Sequence, residues 1–309
     1  MPVADLLRLC KALADDTRLR LVRLLLRGPL SVNEVTQVLG LGQSRVSRHL
    51  RILAESGLVV GRRQGTWMYY QASPAAAEPL VADAAAFVHR HERGVSAYTD
   101  DLARLEAVLE RRRQRTRAFF DQVTDPDALQ PLVDGDHCRQ VALSLLRHGG
   151  ARYVDLGTGA GLLLPALLEC ARQVVAVDAS PAMLALARRT AGGAAARCDF
   201  RLGDLGHLPL ADGEADGVVA CMVLHHVSDP AGALAEAARV LAPGGQLAVV
   251  DLEQHHDERL REQAADLWLG FAVGDLEGWL HQAGVVVEQA TVVTSPGRHP
   301  LIAIKGRKP

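Results

Sequence analysis

Apolar side chains recur first at helical spacing and later as short continuous runs, and this change of period divides the chain. Leu6, Leu9, Cys10 and Leu13 form one helical stripe. A second helix from Asp16-Thr17 turns Leu19, Val22, Leu25 and Leu26 inward, and Gly28-Pro29 stops it. Ser31-Val32-Asn33-Glu34 reads as a capping box opening a short helix through Leu39. Gly40-Leu41-Gly42 makes a turn, and the helix from Gln43 to Ser56 puts Val46, Leu50 and Leu53 on one face. Its other face carries Gln43, Ser44, Arg45, Ser47 and Arg48. From Leu58 to Gln71 the period falls to two around Arg62-Arg63-Gln64-Gly65, which predicts a hairpin with two arginines near its tip.

Two short helices joined by a glycine-containing turn, followed by a hairpin, predict a winged helix-turn-helix over residues 1–72. Arg and Gln can pair bidentately with guanine and adenine edges, while Ser serves a base or a phosphate. Gln43, Ser44, Arg45, Ser47 and Arg48 are therefore the expected DNA-reading residues, with Arg62 and Arg63 of the wing on the DNA backbone.

Residues 73–118 read as a helical connector. Val81, Ala84, Val88, His91, Val95, Tyr98, Leu102, Leu105 and Leu109 alternate spacings of three and four, a heptad seam broken only by Gly94. The seam is expected to dimerise the chain and so bring two recognition helices to half-sites one DNA turn apart. Packing within the chain would give the same stripe. Arg111-Arg112-Arg113, Arg115 and Arg117 read as a solvated face.

From Arg152 strands alternate with helices, the signal of a parallel sheet covered on both faces. Tyr153-Val154-Asp155-Leu156 is a strand, followed by the turn Gly157-Thr158-Gly159-Ala160-Gly161. Glycines there let backbone approach a ligand at the mouth of the sheet. The second strand, Val174 to Val177, ends in Asp178, whose carboxylate can accept from both hydroxyls of a ribose. A dinucleotide site competes, but Leu162 stands where that fingerprint wants its last glycine. Asp155 supplies a carboxylate near the turn for the ammonium of a zwitterionic tail. Arg201-Leu202-Gly203-Asp204-Leu205 ends the third strand, with Asp204 placed for an adenine amino group. Ala215 to His226 carries the fourth strand and its exit, and Gln246 to Asp251 the fifth. Val285 to Val293 and Leu301 to Lys305, split by Pro296-Gly297, predict a closing antiparallel pair.

Charge is distributed unevenly beneath a net −2: residues 1–72 carry +6, residues 73–120 carry +1 and residues 121–309 carry −9. A basic head on an acidic body suits one phosphate-binding module attached to another that binds none. No run approaches membrane-span length, and Met1-Pro2-Val3-Ala4-Asp5 lacks a signal-peptide layout. Five scattered cysteines with no CxxC pair suit a reducing cytoplasm.

Ala12-Leu13-Ala14-Asp15-Asp16-Thr17-Arg18-Leu19-Arg20, followed by Gln43-Ser44-Arg45-Val46-Ser47-Arg48-His49-Leu50, closely resembles the ArsR family of winged-helix repressors over residues 3–72. The resemblance implies a homodimer on a palindromic operator that an inducer releases. Many such proteins sense metals through cysteines before the recognition helix, where this chain has Ser31-Val32-Asn33-Glu34-Val35. Asp83 is followed by alanines, His89 and His91 sit on different helix faces, and Cys10 alone reads as a core residue. No metal is expected.

The series from Tyr153 to Asp251, with Arg239-Val240-Leu241-Ala242-Pro243-Gly244-Gly245 between, resembles Rossmann-like S-adenosylmethionine methyltransferases of the small-molecule branch over about residues 119–305, within an expected domain of residues 119–309. The fold implied is α/β with a seven-stranded sheet in the order 3-2-1-4-5-7-6. By the same resemblance Gly157, Thr158, Gly159 and Gly161 line the methionine tail, together with Asp155. Asp178, Ala179 and Met183 hold ribose and adenine, Asp204 and Leu205 the adenine, and Met222 the methionine side. Catalytic residues are not assigned. Cys221-Met222-Val223-Leu224 replaces the Asn/Asp-Pro-Pro-Tyr element of amino-nitrogen methyltransferases, and the cysteines lack the arrangement of arsenite methyltransferases. His225, His226, His255 and His256 follow strands four and five, where a base or an exposed loop would serve equally. The fusion resembles regulators of methionine-cycle genes that respond to S-adenosylhomocysteine. Two readings stay open: a repressor with S-adenosylhomocysteine or S-adenosylmethionine as effector, and an active methyltransferase with a regulatory head.

Overall fold

The computed structural model describes residues 3–73, 79–91, 96–125, 135–146, 149–294 and 298–309. Contacts divide the chain into two units, Met1–Arg113 and Gln114–Pro309.

In the first unit, capping side chains account for the Asp15-to-Arg18 stretch. Asp15 caps helix α2 (Asp16–Leu25) by accepting from the Arg18 amide at 3.0 Å, while the Arg18 guanidinium donates to the Ala12 carbonyl at the end of α1 (Val3–Leu13). Ser31 and Glu34 form the expected capping box on α3 (Val32–Leu39), and Gly40 closes that helix in the left-handed region at φ +65°. Helix α4 (Gln43–Glu55) buries Val46, Leu50 and Leu53 completely, as its spacing predicts. Strands β2 (Val59–Gln64) and β3 (Trp67–Ala72) make the wing, with Gln64 opposite Trp67 across Gly65-Thr66. A two-residue strand β1 (Leu30–Ser31) pairs with β3, a contact too short to leave a period in the sequence.

Three expectations are corrected here. Cys10 is exposed, because α1 is covered along Leu9 and Ala12 and Cys10 lies one position round the helix. Val3, Leu6 and Leu7 are exposed for the same reason. The heptad seam is not one helix but two, α5 (Pro79–Arg90) and α6 (Ser96–Phe120), with Gly94 and Val95 outside the described residues. Val81, Val88 and Leu105 are buried in the winged-helix core, and Ala84, Leu102 and Leu109 pack against it, so these six positions of the stripe are spent within the chain, while His91 is exposed.

The arginine run is a solvated face only in part: Arg111, Arg115 and Arg117 are exposed, Arg113 is half-buried and Arg112 departs from the expectation. Arg112 is buried and forks onto both carboxylate oxygens of Glu34, the capping-box residue. Arg113 pairs with Glu106 and Glu110, and Arg111 reaches Gln37. Upstream on α6, buried Asp101 accepts from Arg20 and Arg104, and Arg104 also donates to the Val38 carbonyl near the end of α3.

The second unit follows α7 (Gly135–Ser144) with a mostly parallel sheet. Its strands in chain order are β4 (Gly150–Leu156), β5 (Ala171–Asp178), β6 (Cys198–Leu202), β7 (Ala215–Cys221), β8 (Leu241–Leu252), β9 (Val286–Val293) and β10 (Leu301–Arg307). In space they run β6-β5-β4-β7-β8-β10-β9, with β10 antiparallel to both neighbours. This is the seven-stranded order that the resemblance implies. Val174–Val177 and Val218–Ala220 are wholly buried, as a parallel strand covered on both faces requires. Helices α8 (Leu164–Cys170), α9 (Pro181–Ala191), α10 (Pro230–Val240), the short α11 (Leu260–Gln263) and α12 (Val273–Gln282) lie between the strands in sequence. The chain moves outward from β4 in one direction through β5 and β6, and in the other through β7 and β8, so the crevice opens at the carboxyl ends of β4 and β7. Pro296-Gly297 falls outside the described residues. No helix among the described residues is long and apolar enough to cross a membrane.

Candidate functional site

The turn after β4 is shaped by its glycines, each in a different way. A Cβ on Gly157 (φ +64°) would stand 2.2 Å from Val223, and one on Gly161 (φ +75°) 2.8 Å from the Ala187 backbone of α9. Those two positions serve packing. Gly159 (φ +52°) has only the Gly157 carbonyl at 3.9 Å in that direction, so its surroundings leave room for a ligand.

Asp178 at the tip of β5 ties this turn down. Its Oδ2 accepts from the Gly159 amide at 2.9 Å and its Oδ1 from the Ser180 amide at 2.8 Å. Burial raises its pKa, and those amides pull it back. Asp178 is not the cap of α9; Ser180 is, accepting from the Met183 amide at 3.1 Å and donating to Asp121 at 2.5 Å. Each carboxylate oxygen of Asp178 takes one backbone donor, which leaves lone pairs for two vicinal hydroxyls.

Asp155 is almost completely buried, accepts from the Thr158 hydroxyl at 2.7 Å, and has its pKa pushed up to about 7 by that burial. A buried carboxylate with one hydroxyl donor suits a cationic ammonium. Because the folded value lies above the unfolded one, the stabilisation is present in full below pH 4 and is lost as pH rises through about 7. From pH 5 to pH 8 the stability of wild type is expected to decline by about 3 kcal/mol more than that of Asp155→Asn. Parallel curves for the two proteins would refute the assignment.

The remaining expected ligand contacts are dispersed in exposure. Ala179 and Asp204 are exposed, and Asp204 Oδ1 accepts from the Gly206 amide at 2.7 Å in a turn beyond the end of β6. The third strand stops at Leu202, before the expected Leu205. Met183 and Leu205 are buried. Met222 is half-buried, with φ +55°, and its amide donates a hydrogen bond to the Val250 carbonyl at 2.8 Å. A non-glycine residue in that region stores strain of order 1–3 kcal/mol, as residues at ligand clamps often do.

Beyond Met222 lies a buried polar cluster. Asp251, at the end of β8, accepts from the Leu224 and Leu252 amides and from His225 Nδ1 at 2.7 Å. Burial opposes the charge on His225, but Asp251 and Asp266 outweigh it and push its pKa up to about 9. Burial and the His225 charge hold His226 well below its ordinary value, and burial lifts Asp266 to about 6. His226 also stacks edge-on with Phe120. His255 is buried against His299 with its pKa lowered to about 4 by burial, while His256 is exposed. Asp251 was within reach of sequence reasoning, since it tips an apolar strand just as Asp178 does. Asp266 lies in an irregular segment that leaves no periodic signal.

On the first unit, Gln43, Ser44, Arg45 and Arg48 are exposed on α4 and Ser47 is half-buried. Arg63 is exposed on the wing and braces its tip by donating to the Gly65 carbonyl at 3.0 Å, while Arg62 is half-buried.

Comparison with known proteins gives two separate matches, one in each unit. Residues 15–60 match the family model of bacterial regulatory proteins of the arsR family, and residues 154–249 match a methyltransferase domain. An arsenic resistance transcriptional regulator of Pseudomonas putida is 49% identical over 65 residues, covering 21% of this chain and 51% of its own length. An uncharacterised methyltransferase of Mycobacterium bovis is 36% identical over 143 residues, covering 46% of this chain and 49% of its own. This chain thus spans about half the length of these curated relatives. A chain from a Haloferax volcanii complex of a methyltransferase and its activator superposes with a TM-score of 0.54 at 21% identity, covering 63% of this chain and 97% of its own, a likeness of fold alone.

Proposed function

We propose that this chain, which joins an ArsR-family helix-turn-helix domain to a methyltransferase domain, is a DNA-binding transcription regulator whose second domain binds S-adenosylhomocysteine or S-adenosylmethionine as effector. The observation that carries the ligand is Asp178, which bridges the glycine turn and the end of β5 while keeping acceptor capacity for a ribose. Open space beside Gly159 and the buried Asp155 carboxylate fit the amino-acid tail of such a compound. The exposed polar face of α4 fits the major groove, and Arg45 and Arg48 are the side chains suited to base or phosphate contact.

A homodimer belongs to the proposal. Val3, Leu6 and Leu7 on α1 are 71%, 41% and 51% exposed, and Phe87 on α5 is 55% exposed. Apolar residues left open on two helices of a small domain are suited to a self-complementary contact. Six positions of the heptad stripe, Val81, Ala84, Val88, Leu102, Leu105 and Leu109, are already taken by the winged-helix core.

The link between ligand and DNA runs along α6. Within the first unit that helix grips α3 through Arg112 and Arg104; within the second, Asp121, the next residue after Phe120, accepts from Ser180 beside Asp178. Effector control requires only that the two DNA-binding states differ in ligand affinity.

Operator binding measured with and without each S-adenosyl compound tests this directly. Affinity is expected to change at least tenfold, about 1.4 kcal/mol of coupling. Arg45→Ala should cost about 1–3 kcal/mol of operator affinity without changing ligand binding. An operator affinity indifferent to both compounds would sink the regulatory reading. Product from quinol, thiol or arsenite acceptors would assign catalysis to the domain instead.

A further inference from the structure

We propose that His225, His226 and Asp266 form a binding site for a divalent transition-metal ion of the zinc class, independent of the effector reading. One ligand atom from each lies within 4.8 Å of the others. Asp266 Oδ1 stands 3.8 Å from His225 Nε2 and 3.6 Å from His226 Nδ1. A tetrahedral ion with bonds of about 2.0–2.1 Å holds its ligand atoms about 3.3–3.4 Å apart, so the two distances to Asp266 need a contraction of only a few tenths of an ångström.

Hydrogen bonding shows why a cation belongs there. Asp251 receives the Leu224 and Leu252 amides, which keeps it an acceptor for the His225 Nδ1 proton at 2.7 Å. That arrangement aims Nε2 of His225 at Asp266, and a carboxylate on the far nitrogen is the usual support of a metal-bound histidine. His226 makes a backbone hydrogen bond at Ala265, while its Nδ1 has no partner. Neither oxygen of Asp266 has a hydrogen-bond partner, although the residue is only 4% exposed. The unpartnered His226 Nδ1 and the two unpartnered Asp266 oxygens therefore share a buried space beside His225 Nε2. A proton on His225 Nε2 does not resolve this, because 3.8 Å is beyond hydrogen-bond reach and the His226 nitrogen still faces the carboxylate. One cation at the centre satisfies all three.

The backbone holds the set in place at a cost. Ala265 has φ +58°, a strained position for a residue with a side chain, and it immediately precedes Asp266. The Leu267 and Trp268 amides both donate to the His225 carbonyl, at 2.9 and 3.0 Å, pinning the segment that carries Asp266 to the one that carries the histidines. Three protein ligands leave the fourth tetrahedral position for water or an added ligand, as in open zinc sites.

The full-length chain, stripped with a chelator, is titrated with Zn²⁺ by calorimetry and with Co²⁺ by visible spectroscopy. One tight equivalent per chain and an intense tetrahedral Co²⁺ spectrum are expected. Asp266→Asn and His226→Gln should each lower affinity at least about a hundredfold, and Asp251→Asn, which only orients His225, about 10–100-fold. His281→Gln, on the exposed end of α12, should leave the titration unchanged. Circular dichroism checks that each variant is folded, and the wild-type Co²⁺ spectrum stands without any variant. No tight equivalent, a faint octahedral Co²⁺ spectrum, or the same affinity in folded Asp266→Asn would each overturn the site.

Discussion

Asp178→Ala is expected to weaken S-adenosylhomocysteine binding by at least about a hundredfold in calorimetry, equal to about 2.7 kcal/mol. The loss comes from two charge-assisted hydrogen bonds to the ribose, each worth about 1.5–3 kcal/mol. A further contribution comes from the turn itself, since the Gly159 and Ser180 amides lose their acceptor. Asp178→Asn separates these effects. It keeps the volume and one carbonyl oxygen but removes the charge and one acceptor, so it should fall between wild type and alanine. Folding of the free protein should suffer less than binding, because the carboxylate is held at a raised pKa by burial and its removal relieves that cost. Unchanged affinity in Asp178→Ala would remove the ribose from this carboxylate and the nucleoside from the pocket.

Arg112→Met is expected to destabilise the first unit by about 3 kcal/mol, the lower end of what is typical when one partner of a buried ion pair is removed. Arg112 is 9% exposed at its side chain and Glu34 is 18%, so the carboxylate left behind is mostly shielded from water. For a domain of this size the midpoint should fall by roughly 10–20 °C. The pair also fixes the pH response. Burial pushes the Glu34 pKa up, but the hydrogen bonds and charge of Arg112 outweigh it and leave the value lowered. A lowered folded value gives stability that is present above pH 4.5 and lost as pH falls through the folded pKa, and Arg112→Met should abolish that acid loss. Replacing both residues by methionine should recover much of the stability, since no unpaired charge remains, though the capping box on α3 is then lost at about 1 kcal/mol. A single variant as stable as wild type would mean that α6 does not hold α3 through this pair.

The parts legible in the sequence are those written in local order. Ser31 and Glu34 are three residues apart and cap α3 as their spacing requires. Val46, Leu50 and Leu53 fall on the inner face of α4, leaving Gln43, Ser44, Arg45 and Arg48 outside. The glycine turn follows β4 at once and Asp178 ends β5, so the pocket's main elements could be named before their contact was seen. Period and turn chemistry act over a few residues, and they survive folding unchanged.

Tertiary structure decided everything that depends on which surface covers which. The stripe from Val81 to Leu109 has the same spacing whether it meets a second copy or its own winged-helix core, and only the fold shows the core taking it. Arg112 looks like one of five solvated arginines until Glu34, far away in sequence, is brought beneath it. Cys10 keeps an inward spacing yet stays exposed, because α1 is covered along Leu9 and Ala12 instead. His225, Asp251 and Asp266 come from three separate segments, and their meeting depends on strand order and on a strained loop rather than on any motif. A one-dimensional pattern records which faces are apolar or charged; the partner of each face is a matter of long-range packing, which no local period encodes.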